Sequence, residues 1–205
     1  MTTVPTVRWL IAFCVAGVLF LSACTPSSDV PADRVGKYTI IAQDVKVRPG
    51  RTVATAVAVP DPSLPFDHLG YTAMAAAEKV AQDARARWVR VDFILMEACR
   101  GQGFALAQAI HSRDGKDMVG ANAAPRWQVK TCTPECWPQD ANDRRMARFF
   151  CETRGSDSPF RKRSGALDEA KWRRHMRDTL GLTNAEWRRK SAKIGCNPNV
   201  DFTPK

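Results

Sequence analysis

No apolar run in this 205-residue sequence is long enough for a membrane-spanning helix. The longest, Leu10 to Leu21, holds about a dozen residues, whereas a hydrocarbon core of roughly 30 Å needs about twenty. Histidine is scarce. His68, His111 and His175 are the whole supply, which restricts the bases open to nucleophilic catalysis. The sequence has no Gly-x-Ser-x-Gly, no His-Glu-x-x-His and no phosphate-binding loop, and Gly101-Gln-Gly103 is too short to stand for one. The local signatures of serine hydrolases, zinc proteases and nucleotide-binding loops are therefore missing. Acidic residues are also few, 21 against 31 Lys and Arg, which leaves a net charge of +10 and a pI near 9.6. Such an excess favours an anionic neighbour: nucleic acid, lipid head groups or an acidic protein. Hydrophobic residues make up 44%, enough for a buried core.

The first residues divide into three parts. Arg8 is weakly basic, Leu10 to Leu21 is apolar, and Leu21-Ser-Ala23-Cys24 closes the segment. An apolar run of this length fits the h-region of a secretory signal. The closing tetrapeptide resembles the bacterial lipobox, in which an aliphatic residue and two small residues precede the cysteine that takes the lipid. The resemblance implies cleavage between Ala23 and Cys24, and an acylated (palmitate-type) Cys24 as the mature N-terminus. Acyl chains contribute about 0.8 kcal/mol per buried methylene, and two or more give durable membrane attachment. Thr25 and Pro26 follow, with no Asp beside the cysteine. By likeness to the sorting habit of enteric bacteria, that implies an outer-membrane lipoprotein facing the periplasm. Export makes nucleic acid the least available anion. Residues 24–37, with Ser, Pro and Asp recurring and no periodicity, read as a lipidated tether.

Residues 38–130 read as one small α/β domain. The runs 38–47 and 52–59 are rich in β-branched residues and flank the turn signal Pro49-Gly50, which predicts an antiparallel hairpin. In the second run Val53, Thr55, Val57 and Val59 share one side, and Ala54, Ala56 and Ala58 the other, open to close approach by a helix. That helix is predicted from an N-cap at Ser63 to about Arg87, with Leu69, Ala73, Ala77, Val80 and Ala84 on one face. Strands follow over 88–96 and 104–111, the latter ending at an Asp114-Gly115 turn, and a last short one over 127–130. The predicted fold is α+β: a mostly antiparallel sheet in the order β-β-α-β-β with one packed helix. The strand-strand-helix-strand pattern and the Ser-Arg-Asp-Gly-Lys turn at 112–116 resemble a family of small bacterial α/β domains of unknown function. The resemblance spans Tyr38 to Lys116 and implies no catalytic motif.

A basic helical appendage is predicted over 131–196, with a flexible tail over 197–205. Its helices run over 142–153, 167–180 and 184–194. Thr183 and Glu186 form a capping box for the last one, and Gly181 and Gly195 stand at helix stops. Trp172 with Met176, and Trp187 with Ile194, read as core anchors. From Arg144 onward basic residues outnumber acidic ones about two to one. The echo AKWRR at 170–174 and AEWRR at 185–189 marks Arg173, Arg174, Arg188, Arg189 and Lys190 as the candidate surface for an anionic partner.

Removal of Cys14 and acylation of Cys24 leave Cys99, Cys132, Cys136, Cys151 and Cys196. In an oxidising envelope two disulfides and one spare thiol are expected, in about fifteen possible pairings that spacing does not separate. Zinc bound by Cys132, Cys136, Cys151 and His175 is a rival, but the spacing is not that of structural zinc sites. A Cys99–His111 pair with Asp92 or Asp114 is the one nucleophilic arrangement that can be drawn. The reading is a non-catalytic, membrane-tethered envelope lipoprotein without metal or small-molecule cofactor. It binds an acidic envelope protein, such as a secretion or conjugation component, or anionic head groups. The alternatives are a cysteine-dependent hydrolase and a purely structural lipoprotein.

Overall fold

The computed structural model describes residues 30–138, 140–155, 158–194 and 197–204. The leader, Ala23, Cys24, Gly195 and Cys196 lie outside the described residues. The described residues form an α+β fold with a six-stranded sheet and four α-helices. β1 (Tyr38–Arg48) and β2 (Arg51–Pro60) form the expected antiparallel hairpin, Tyr38 opposite Pro60 and Arg48 opposite Arg51. Gly50 turns the chain at φ +70°, a conformation that suits a residue without Cβ. α1 (Leu69–Asp83) crosses over to β3 (Trp88–Phe93), which lies parallel to β2. β4 (Ala107–Ser112) and β5 (Trp127–Thr131) continue antiparallel, and the spatial order follows the chain.

The alanine side of β2 is where the helix docks. Ala54, Ala56 and Ala58 share a core with Leu69, Ala73, Met74, Ala77 and Val80 of α1, and with Val89, Val91 and Phe93 of β3. The expected stripe on α1 is buried apart from half-buried Ala84, and burial extends past it to Tyr71, Thr72 and Ala76. Both ends of the body reach this helix. Val30 is buried in the same core, and the Gly36 amide donates to Thr72 Oγ1 at 3.0 Å. The Phe202 ring meets Tyr71 edge-on, centroids 4.9 Å apart.

Two expectations about chain ends change accordingly. The tether predicted to run to residue 37 is already packed on the body from Val30, with a 3-10 turn over Ala32–Arg34. In place of a flexible tail, β6 (Val200–Asp201) pairs antiparallel with β5, and the Phe202 amide donates to the Val129 carbonyl. The start of α1 also differs. Ser63 does not cap it; its amide and hydroxyl both donate to Asp61 Oδ1. Pro65 disfavours a helical Leu64, so the helix begins after a 3-10 turn at Phe66–His68. Its end comes at Asp83 rather than Arg87, where Arg85 takes φ +49°.

The valine side of the sheet carries a second core. Val57, Val59 and Ile41, with Ile94 and Met96 beyond β3, pack with residues of α2 (Ala141–Arg154), α3 (Glu169–Leu180) and α4 (Asn184–Ile194). Asp140 and Asp168 accept from the amides of Asp143 and Lys171, so each caps its helix. The Thr183–Glu186 capping box closes in both directions. Gly181 ends α3 at φ +65°. Trp172 and Met176 are fully buried, and Trp187 is 7% exposed. The helical stretch therefore shares a core with the sheet, and a Cys99–Cys151 disulfide ties the turn after β3 to α2. Among the described residues no helix is long and apolar enough to cross a membrane.

Candidate anion-binding groove

The connection between α3 and α4 spans only residues 181–183, so the two AxWRR segments meet. Trp172 and Trp187 touch edge to face, centroids 5.7 Å apart. Trp172 also packs edge-on against Phe150 at 5.0 Å, and its indole N–H donates to Thr153 Oγ1 at 2.9 Å. This aromatic cluster fixes the floor of a groove of about 580 Å³. Its walls carry five arginines (Arg154, Arg173, Arg174, Arg177 and Arg188) and a single carboxylate, Glu169.

Glu169 is shared. Arg154 Nη2 lies 3.3 Å from its Oε1 and Arg173 Nε 3.4 Å from its Oε2. Arg154 also sits 5.4 Å from the centroids of both the Phe150 and Trp172 rings, which orients its guanidinium. Arg177 donates to Asn184 Oδ1. Among the described residues Arg174 and Arg188 enter no ion pair with the chain. Solvent-exposed pairs such as those to Glu169 are worth only about 0–1 kcal/mol each, so an incoming anion can take their place. Guanidinium groups present planar donor forks that match carboxylate and phosphate oxygens.

The predicted basic surface is thus divided. Arg173, Arg174 and Arg188 line the groove; Arg189 and Lys190 do not. Lys190 turns toward α2, where its Nζ lies 2.8 Å from Asp143 Oδ1 in a mostly buried pair. The Glu186 carboxyl is held below its usual range by the Thr183 amide and hydroxyl, with Arg189 and Lys190 adding to the effect. Sequence reasoning missed Arg177 and Arg154. Arg177 follows Arg173 by one helical turn, a legible signal. Arg154 arrives from α2, and nothing local announces it.

The other constellations drawn from the sequence do not assemble. Cys99 is bonded to Cys151, so its thiol is not available beside His111, whose ring stacks on Trp127 at 4.2 Å. Cys136 is also disulfide-bonded. With Cys151 and Cys136 engaged and His175 packed against the Phe149 and Phe160 rings, the drawn zinc tetrad is not brought together. Cys132 is the free thiol among the described residues, fully buried. Burial pushes it up to about 11, which keeps it protonated rather than poised as a nucleophile.

The family described as "Domain of unknown function (DUF4875)" matches residues 33–187, from before β1 into α4. The chain belongs to the DUF4875 family. The match takes in β1 to β5, α1 to α3 and both groove tryptophans, and so extends beyond the strand-helix pattern from which an uncharacterised family was expected. A crystal structure of a DUF487 family protein from Desulfovibrio piger is similar over 83% of this chain and 97% of its own. The TM-score is 0.62 at 20% identity, a likeness of fold alone. No match was found among curated proteins.

Proposed function

We propose that this DUF4875 protein is a non-catalytic envelope lipoprotein that holds an acidic segment of another envelope protein in the α3–α4 groove. The groove carries the proposal: five arginines converge on a rigid aromatic floor with one carboxylate between them. Its concave shape suits a peptide bearing Asp or Glu better than the flat face of a bilayer, and guanidinium forks suit carboxylates. The lipid anchor at Cys24 and the outer-membrane address rest on the leader and the lipobox-like tetrapeptide. Disulfides at Cys99–Cys151 and Cys136 are in keeping with an oxidising compartment. Only residues 25–29 separate Cys24 from docked Val30, so at about 3.6 Å per residue the body is held within roughly 20 Å of the anchor.

The test uses the purified protein in neutral phosphatidylcholine nanodiscs, with a fluorescent oligo-glutamate peptide as probe. Binding is expected to weaken steeply with salt. The double reversal R174E/R188E should lose at least about tenfold in affinity, roughly 1.4 kcal/mol, while R189E, outside the groove, should lose little. Binding indifferent to salt, or to R174E/R188E, would overturn the proposal. Preference for phosphatidylglycerol vesicles over the peptide would replace the acidic protein with lipid head groups. An unacylated Met1 terminus on the native protein would remove the anchor.

A further inference from the structure

A second cleft lies apart from the arginine groove, where the end of β2 and the segment after β3 meet the outer face of α2. It is a trough of about 470 Å³, within the range of small-molecule sites. Its floor is apolar: Pro60, Leu95, Met96, Trp137 and Pro138.

One wall is charged. Arg144, Arg145 and Arg148 all reach the trough, and Arg148 is a helical neighbour of the other two, four residues from Arg144 and three from Arg145 on α2. Arg145 and Arg148 are exposed and Arg144 half-buried. None of the three forms an ion pair among the described residues. The single carboxylate in the lining is Asp61, one oxygen of which already accepts from the Ser63 amide and hydroxyl.

We infer that this trough binds an amphiphile with a single acyl chain and an anionic head group, the chain on the Leu95–Met96–Trp137 floor and the head at Arg144, Arg145 and Arg148. A purely apolar ligand leaves Arg145 and Arg148 without a role, and a small polar anion leaves the floor uncovered. A trough of about 470 Å³ suits a thin chain better than a peptide helix, whose diameter with side chains is about 10–12 Å. The inference does not depend on the groove between α3 and α4, which uses other residues.

Photo-crosslinking of the purified full-length protein tests it. Three probes carry the same chain and diazirine: a fatty acid, a lysophosphatidylglycerol and a neutral monoacylglycerol. Both anionic probes are expected to label peptides containing Leu95–Met96 or Trp137, and to be displaced by unlabelled competitors. The fatty acid against the lysophospholipid distinguishes a carboxylate from a phosphate head. The monoacylglycerol should compete at least about tenfold less well. Each added methylene that reaches the floor should tighten binding up to about fourfold, the factor for ~0.8 kcal/mol of apolar burial. R145E/R148E should abolish the preference for anionic heads, and M96D should weaken all three probes, with circular dichroism reporting that each variant folds. Labelling elsewhere, equal competition by the neutral probe, or an R145E/R148E protein that keeps the anionic preference would overturn the inference. An acidic amphipathic peptide that occupies the trough without any dependence of amphiphile binding on chain length would do the same.

Discussion

The Cys99–Cys151 disulfide offers the sharpest test of how the helices are held to the sheet. The two cysteines are 52 residues apart in sequence, and each is 1% exposed where the second core meets the turn after β3. Alanine at both positions removes the cross-link without burying a polar group. For a closed loop of 52 residues, the chain-entropy relation gives a destabilisation of about 4 kcal/mol at 25 °C. That is a large share of the ~5–15 kcal/mol by which domains are stable. With a urea slope of about 2 kcal/mol/M, the unfolding midpoint of C99A/C151A should fall by roughly 2 M. Tryptophan fluorescence follows the transition, because Trp172 and Trp187 lie in the core beside the bridge. A loss under about 1 kcal/mol would refute the view that the bridge limits the freedom of the helical layer.

Three further outcomes follow from single sites. The Cys132 thiol, raised to about 11 by burial, should resist alkylation at mildly alkaline pH in the native protein and react once the chain is unfolded in denaturant. Native labelling at the rate of a free thiol would contradict its placement. Burial works against ionised Asp114, but Arg51 at 2.5 Å, with the Lys116 amide and Ser112 hydroxyl, outweighs it and holds the carboxyl below its usual range. A carboxyl lowered on folding stabilises above its unfolded value of about 3.9, and that contribution is lost as pH falls through the folded value. The stability advantage of wild type over D114N should therefore be full near neutrality and shrink below about pH 4, as urea midpoints across pH will show. Finally, a Cβ at Gly70 would sit 2.5 Å from the Phe202 ring. G70A should displace Phe202 from Tyr71 and cost about 1–3 kcal/mol, whereas G70A/F202A should recover part of that loss.

How much of this was legible in the sequence depends on the range of the interactions. The alternation in β2 identified the helix-facing alanines, because a strand turns successive side chains to opposite faces whatever its neighbours are. The caps at Thr183 and Gly181, and the core roles of Trp172 and Met176, were also local facts, written within one helical turn. The start of α1 was misplaced because Pro65 overrides a good capping residue two positions before it. That Lys190 turns away from the groove was not legible, because its carboxylate partner, Asp143, lies on another helix, 47 residues away in sequence.

By itself the sequence determined the order of β1 to β5 and of the helices, the basic character of the last third and the residue types open to the site. Tertiary structure decided which arginines converge, which cysteines pair and what covers the outer side of α1. Those outcomes depend on contacts between segments distant in the chain, where long-range packing decides and no periodicity carries the information. The groove exists because α2 brings Arg154 and Phe150 to a helix pair whose own residues announce only half of it.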